Sequence, residues 1–261
     1  MTVSYDFSGQ TALVTGAGHG MGALIAARLA SGRAHVILNY CRDSERAEAT
    51  LQQIIADGGS AELVRANVAD HEAVVAMFDR VRERHERLHI LVNNAASGAM
   101  APFTSLTEKH LMRAVTTNYL GPLWCASEAV RSMPPGAAIV NISATGANFV
   151  LPGYAGVGPS KAALEALTRY LAAEFGPKGI RVNAASAGPL DSEAAERFPD
   201  AARLRSALES VTPLRRLGTP AELANVAIFL ASSEASWISG QTVIADGGFL
   251  AAPLGPEASP R

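Results

Sequence analysis

The sequence predicts a single α/β domain of the doubly wound Rossmann type, built on a mostly parallel seven-stranded sheet. Short apolar runs alternate with amphipathic stretches along the chain, which is the order expected of repeated βα units. The apolar runs are hydrophobic throughout rather than at every second position, as expected of strands that helices cover on both faces. Because the composition does not change along the 261 residues, we predict one domain over residues 1–261.

Seven apolar runs are predicted as strands and six amphipathic stretches as helices, since apolar positions in the latter recur every three to four residues. The predicted strands are Thr11–Thr15, His35–Asn39, Ala61–Ala66, Ile90–Val92, Ala138–Ile142, Arg181–Ala185 and Thr242–Ala245. The predicted helices are Met21–Ser31, Ser44–Ala56, Glu72–Arg87, Glu108–Met133, Ser160–Phe175 and Pro220–Leu230. Two segments lie outside this alternation. We interpret residues 190–213 as a helical insertion that covers the active site as a lid, and 251–261 as a loose tail.

Composition and charge exclude several classes of function. With a net charge of −2 and no basic run, the chain is not expected to bind nucleic acid. It has no apolar run long enough for a membrane span and no leader-like N-terminus, so we expect a cytoplasmic protein. Cys41 and Cys125 are isolated, which indicates neither a metal site nor a disulfide framework. Four of the six histidines are scattered along the chain and suggest no metal site either: His71, His85, His89 and His110.

A glycine-rich stretch, Thr15 to Gly22, joins the first predicted strand to the first helix. Gly16 permits a tight turn, Gly20 lets the backbone approach a pyrophosphate, and Gly22 lets the helix pack closely on the sheet. The helix then offers unpaired N–H groups to phosphate oxygens. The candidate cofactor contacts in this stretch are Gly16, Gly18, His19, Gly20, Met21 and Gly22. His19 either touches a phosphate or is a solvated loop histidine.

The second strand ends without the acidic residue that usually binds the ribose 2′-hydroxyl of NAD. Arg42 follows this strand instead, and its guanidinium suits a 2′-phosphate. The alternative is a solvated loop arginine. We therefore predict NADPH as the cofactor.

Four motifs together resemble the short-chain dehydrogenase/reductase family over roughly Ser8 to Phe249. They are the TGxxxGxG spacing from Thr15, Asn93-Asn94-Ala95-Ala96, Asn118-Tyr119-Leu120-Gly121 and Asp246-Gly247-Gly248. The resemblance implies the strand order 3-2-1-4-5-6-7, a small-molecule substrate and a homotetramer. It also implies that Asn67 and Val68 flank the adenine, that Asn94 and Ala95 lie beside the cofactor, and that Leu190 contacts the nicotinamide.

The catalytic pattern that the resemblance implies is only half present. The family uses asparagine, serine, tyrosine and lysine, and Asn118 and Lys161 match two of them. Val157 stands where the tyrosine is expected, four residues before Lys161. Ala144 stands where the serine is expected, and the neighbouring Ser143 faces the opposite way on its strand.

Tyr154, seven residues before Lys161, is the candidate replacement for the missing acid. This spacing, with the segments 93–98 and 160–171, resembles the enoyl reductase III branch of the family. That branch keeps a serine at the position of Ala144 and a second aromatic hydroxyl near Phe149. Tyr154 therefore either donates a proton or only lines the substrate pocket.

Three functions follow as hypotheses. The leading one resembles the angucyclinone ketoreductases, in which the reduced carbonyl of an aromatic polyketide can carry its own hydrogen-bonded phenol as the acid. The second is an enoyl-thioester reductase that uses Tyr154 and Lys161. The third is a non-catalytic NADPH-binding regulator. The candidate substrate contacts are Ser97, Ala144, Phe149 and Phe198.

Overall fold

The computed structural model describes residues 5–193, 195–198 and 200–252, and it contains one seven-stranded sheet. All neighbouring strands are parallel, in the order β3-β2-β1-β4-β5-β6-β7, as the resemblance implied. The single Rossmann-like α/β domain is thereby confirmed. The strands are β1 (Thr11–Val14), β2 (His35–Tyr40), β3 (Ser60–Arg65), β4 (Ile90–Asn93), β5 (Ala138–Ala144), β6 (Arg181–Ala187) and β7 (Thr242–Ala245).

Helices follow the strands and cover both faces of the sheet. They are α1 (Gly20–Ser31), α2 (Ser44–Ala56), α3 (His71–Arg84), α4 (Glu108–Val115), α5 (Gly121–Ala129), α6 (Gly158–Phe175), α7 (Ala201–Val211) and α8 (Pro220–Ala231). Alternate residues of a strand enter two separate cores. In β1, Ala12 and Val14 pack with α1 and α8, whereas Leu13 packs with α3, α5 and α6. This explains why the strands read as continuous apolar runs.

The predicted helix Glu108–Met133 is helical without a break from Glu108 to Ala129, but the prediction is wrong about its regularity and its end. A five-residue π-helical segment, Thr116–Leu120, separates α4 from α5, and α5 ends at Ala129. Pro122 explains the interruption, because it has no N–H to donate to the carbonyl of Asn118 four residues earlier. The Gly121 N–H reaches back five residues instead, to the carbonyl of Thr116.

The two segments outside the βα alternation are described by the structure to different extents. The predicted insertion contains a single 3₁₀ turn at Ala195–Arg197 and then α7, between β6 and α8. Its action as a lid stays a prediction. Of the predicted loose tail, residues 253–261 lie outside the described part of the chain. None of the described helices is long and apolar enough to span a membrane.

Candidate active site

A large cavity of about 1250 Å³ opens at the carboxyl ends of the strands and runs from the glycine-rich loop to α7. This is the edge at which ligands bind in open α/β sheets. Most of the candidate site residues lie in its wall, although their roles stay predictions. Those in the wall are Gly16, Gly18, His19, Gly20, Met21, Gly22, Arg42, Asn67, Val68, Asn94, Ala95, Ser97, Ala144, Tyr154, Lys161, Leu190 and Phe198.

At Gly16 and Gly22 the glycine-rich loop is packed so closely that a side chain would not fit. A Cβ atom on Gly22 would lie 2.3 Å from the carbonyl oxygen of Gly16 and 2.5 Å from Nδ2 of Asn94. Gly16 has a φ of +64°, and a Cβ there would lie 2.9 Å from the Cα of Ala95. Gly20 has a φ of +60° with open space around it. The loop therefore presents bare backbone to the cavity.

The N-terminus of α1 is built to receive phosphate. Its N-cap residue, His19, makes no side-chain capping bond, and the first turn holds no acidic residue. By contrast, Asp43 caps α2 and Asp70 caps α3 through side-chain oxygens. An uncapped helix end with free N–H groups and a positive dipole suits a pyrophosphate. The site therefore fits a dinucleotide, which would supply the hydride for a reduction.

Three polar residues position this loop: Asn94, which the sequence analysis singled out, and Thr15 and Asn39, which it did not name as site residues. The Thr15 hydroxyl accepts hydrogen bonds from the backbone N–H groups of Asn94 and Ala95, at 3.0 and 3.1 Å. Asn94 returns its side-chain N–H to the carbonyls of Thr15 and Gly16, at 2.9 and 3.1 Å. The buried Asn39 accepts the Gly16 N–H and donates to the carbonyl of Ala66.

Arg42 lies in the cavity wall, two residues after the end of β2. Within the described part of the chain no carboxylate pairs with it. The adjacent acid, Asp43, is engaged at the N-terminus of α2, where it accepts the N–H of Arg46 at 3.0 Å. Arg42 is thus, among the residues described, an unpaired cation at the cofactor end of the cavity, and the acid beside it, Asp43, already uses one carboxylate oxygen to cap α2.

Lys161, in the first turn of α6, is buried, and its Nζ donates to the carbonyl of Ile142 at 2.6 Å. Burial lowers the pKa of its ammonium to about 8, an effect that the nearby Glu165 carboxylate partly opposes. Glu165 itself is buried and accepts hydrogen bonds from Ser143 at 2.7 Å and Asn148 at 2.8 Å. The sequence analysis did not single out Glu165, although its place one helical turn after Lys161 could have indicated it.

Asn118 lies in the π-helical segment, fully buried behind the cavity wall. Its side chain accepts the Ser97 N–H and donates to the Ser97 carbonyl, both at 2.8 Å. It also donates to the hydroxyl of Ser160, which is next to Lys161. In this arrangement Asn118 braces the loop after β4 against the start of α6. Its catalytic role stays a prediction.

The positions of the missing acid and the missing serine are apolar. Val157 is buried beside Gly98, where a Cβ would lie only 2.2 Å from a Val157 methyl group. Ala144 lies in the cavity wall. Tyr154 is there too, with its ring against Gly146 and stacked on Phe198 at a centroid distance of 5.8 Å.

Tyr154 and Phe149 are two further candidate residues for contact with the substrate. Burial raises the pKa of the Tyr154 hydroxyl to about 12, and among the described residues no cation opposes this rise. Phe149, a candidate substrate contact, packs edge-on against Phe249 and is absent from the described wall of the cavity. Its predicted contact would require movement of the loop after β5.

Known proteins resemble this chain in sequence and in fold. A protein-family model described as enoyl-(acyl carrier protein) reductase matches residues 16–250. The chain is 37% identical to 1-cyclohexenylcarbonyl-CoA reductase of Streptomyces collinus over 242 residues, covering 92% of this chain and 86% of that protein.

Solved structures of similar proteins have the same fold. A short-chain dehydrogenase/reductase of Serratia marcescens superposes with a TM-score of 0.87 at 33% identity, covering 94% and 99% of the two chains. The promiscuous reductase LugOII, which catalyses keto-reduction at C1 during lugdunomycin biosynthesis, superposes with a TM-score of 0.85 at 33% identity, covering 93% and 98%. The fold and site thus define a nicotinamide-dependent oxidoreductase. The chain belongs to the short-chain dehydrogenase/reductase family.

Gly22→Ala should weaken cofactor binding by at least about tenfold, because its Cβ would push α1 away from the Gly16 carbonyl and the phosphate-binding loop. Fluorescence titration with NADPH and NADH measures the effect. Gly176→Ala is the matched control, since a Cβ at Gly176 meets nothing within 4 Å. Unchanged affinity in Gly22→Ala would show that the loop is not the phosphate site.

Lys161 should make cofactor affinity depend on pH. Its ammonium, with a pKa of about 8 in the free protein, is charged below this pH and neutral above it. If the charged form holds the ribose hydroxyls, binding above pH 8 must take up a proton. The Kd should then rise by up to about tenfold per pH unit above pH 8. Titrations between pH 7 and 9.5 test this, and Lys161→Met should bind more weakly with a flat profile. A flat profile in the parent protein would contradict it.

Proposed function

We propose that the protein is an NADPH-dependent ketoreductase that reduces a carbonyl of a polycyclic aromatic polyketide, of the angucyclinone type. The observation that carries this proposal is that apolar residues occupy the two positions where the family places its acid and its supporting serine. Lys161 is kept, whereas Val157 and Ala144 occupy the positions of the family's acid and its supporting serine. Such a site can hold reactants together but offers no proton at the usual place.

A substrate that carries its own acid removes this difficulty. A phenol hydrogen-bonded to the neighbouring carbonyl can pass its proton to the carbonyl oxygen while the carbonyl carbon receives hydride. The phenolate left behind then takes a proton from water. The chain's own contributions are to hold the cofactor ribose through Lys161 and to exclude water from the reacting atoms.

The shape and polarity of the cavity favour a flat, apolar substrate. The stacked rings of Tyr154 and Phe198 are nearly parallel, with an angle of 18° between their planes. Leu204 and Leu208 of α7 line the same cavity. Planar apolar walls suit a fused aromatic ring system, which stacks on aromatic side chains. The keto-reduction ascribed to LugOII, at 33% identity, agrees with this class of reaction.

The electrostatics of Tyr154 argue against its acting as the acid. The family's tyrosine depends on the adjacent lysine to lower its pKa, but burial alone shifts the pKa of Tyr154, and it does so upward. Lys161 directs its Nζ to the carbonyl of Ile142. A phenol of high pKa, without a cation beside it, is a poor proton donor at neutral pH.

An enoyl-thioester reductase is the second candidate, and the comparisons supply the observation that favours it. The matching family model is described as an enoyl reductase, and the Streptomyces collinus relative is a CoA-thioester reductase. In this function Tyr154 would supply a hydrogen bond to the developing enolate oxygen. The non-catalytic alternative is set aside, because the chain belongs to a family of oxidoreductases.

We infer a homotetramer from the family resemblance. Large apolar side chains exposed on the outer helices and after α8 support an assembly that would cover them, as burial at an interface removes such groups from water. They include Met112 and Val115 on α4, Tyr170 on α6, and Trp237, which is 99% exposed.

Arg42→Ala should reduce the preference for NADPH over NADH by roughly ten- to a hundredfold, since a charge-assisted hydrogen bond contributes about 1.5–3 kcal/mol. The measurement is the ratio of the two Kd values in each variant. Arg87→Ala, a surface arginine paired with Glu86, is the control and should leave the ratio unchanged. Equal affinities for both cofactors in the parent protein would refute the preference itself.

Tyr154→Phe should change turnover only a few-fold on an angucyclinone whose carbonyl neighbours a free phenol, because the substrate supplies the proton. Methylation of that phenol should abolish reduction. The rates are measured as cofactor oxidation under saturating substrate. Tyr170→Phe, the same change on the exposed side of α6, controls for removing a hydroxyl.

The opposite results would favour the enoyl-thioester reductase, in which Tyr154 acts on the substrate. A loss of about a hundredfold or more in Tyr154→Phe is the scale expected when one donor or general acid is removed. Combined with continued reduction of the methylated substrate, it would assign the proton to the protein.

A further inference from the structure

The fold brings together three side chains that lie far apart in the sequence, at the edge of the sheet opposite the active site. His35 is the first residue of β2, Glu62 lies in β3, and His85 directly follows α3. The strands pair in parallel with His35 opposite Ser60, so that Glu62, two residues further on, shares a face of the sheet with His35. The sequence spacing of the histidines gave no sign of this cluster.

The ligand atoms of the three side chains converge. Nε2 of His85 lies 2.6 Å from Oε1 of Glu62, and Nε2 of His35 lies 3.9 Å from the same oxygen. One nitrogen or oxygen atom from each side chain lies within 4.8 Å of the other two. Ligands bound to zinc at 2.0–2.1 Å stand about 3.3 Å apart in a tetrahedron. Small side-chain rotations therefore bring these atoms to coordination distance.

Neighbouring groups already orient the ligands. The Ser60 hydroxyl lies 2.7 Å from Nδ1 of His35, and when Nδ1 donates to it, Nε2 keeps its lone pair facing the cluster. Nε2 of His35 is buried and has no hydrogen-bond partner in the described part of the chain. Arg84 donates to Oε2 of Glu62 at 2.8 Å, which leaves Oε1 to face the two rings. Such second contacts are typical of the residues behind metal ligands.

We propose that His35, Glu62 and His85 bind one zinc ion per chain. Two imidazoles and one carboxylate are a zinc ligand set, and the partial exposure of the three side chains, between 18% and 31%, leaves a fourth position for water. Binding would replace the hydrogen bond between His85 and Glu62 by a bond from each of them to the ion.

The site is separate from the reductase chemistry. It lies at the start of β2 and β3, whereas the cofactor cavity lies at the carboxyl ends of the strands. A bound ion would tie β2, β3 and the C-terminal end of α3 together through one set of bonds. Its effect would fall on the stability of the folded chain, because an ion that binds only the folded state shifts the equilibrium toward it.

The experiment uses the full chain without an affinity tag, stripped with chelator and titrated with zinc sulfate by calorimetry and thermal unfolding. We expect one zinc per chain, and a Tm raised by roughly 5–10 °C at a hundredfold excess over the Kd. His85→Ala and Glu62→Gln should each weaken binding by about a hundredfold or more, and Ser60→Ala by about tenfold. Circular dichroism and retained reductase activity show that each variant is folded.

His71→Ala is the matched control, because this exposed histidine, stacked on Trp124, lies at the other end of α3. It should keep the zinc affinity of the parent. The proposal fails if the parent shows no saturable binding at one equivalent, or if His85→Ala and Glu62→Gln bind as tightly as the parent. Loss of binding in His71→Ala would assign the zinc to a different site.

Discussion

The hydrogen bonds between Thr15 and the chain that leaves β4 fix the geometry on which the rest of the site depends. The Thr15 hydroxyl receives the N–H groups of Asn94 and Ala95, and Asn94 returns its amide to the backbone at Thr15 and Gly16. At this point β1 connects outward to β2 while β4 connects outward to β5, so the connections diverge and leave a crevice. Without this brace the glycine-rich loop could not be held at contact distance from Asn94.

The fold was predictable because its signals are local. Continuous apolar runs marked the strands, and the spacing of Gly16, Gly20 and Gly22 marked the nucleotide loop within eight residues. The supporting polar contacts join residues far apart in sequence, such as Thr15 with Asn94, 79 positions away. Contacts between residues so far apart leave no periodic pattern in the sequence from which they could be predicted. The cluster of His35, Glu62 and His85 was missed for the same reason, since each residue comes from a different element.

The helix that the sequence predicted as continuous shows a different limit of pattern reasoning. Apolar residues keep a helical period through Glu108–Met133, so the pattern alone does not reveal an interruption. Pro122 does reveal it, because proline inside a helix leaves the carbonyl four residues earlier without a partner. That carbonyl belongs to Asn118, and the π-helical turn around it turns the side chain toward Ser97 and Ser160. Here a local break in helical bonding places a buried amide beside the active site.

The chain keeps the residues for one part of a reduction, which is cofactor binding, and lacks the family's residues for the other part, which is proton transfer. The residues that would hold the cofactor are present and braced, including Lys161, which remains charged near neutral pH despite its burial because Glu165 partly offsets the cost. The residues that would handle the proton are replaced by Val157 and Ala144. The Val157 methyl group closes on Gly98, with no space between them even for a Cβ. The position of the missing tyrosine is thus closely packed and leaves no cavity. Under the function proposed above, this arrangement would favour substrates that bring their own acid, because Val157 and Ala144 offer no proton at the positions where the family's acid and serine stand.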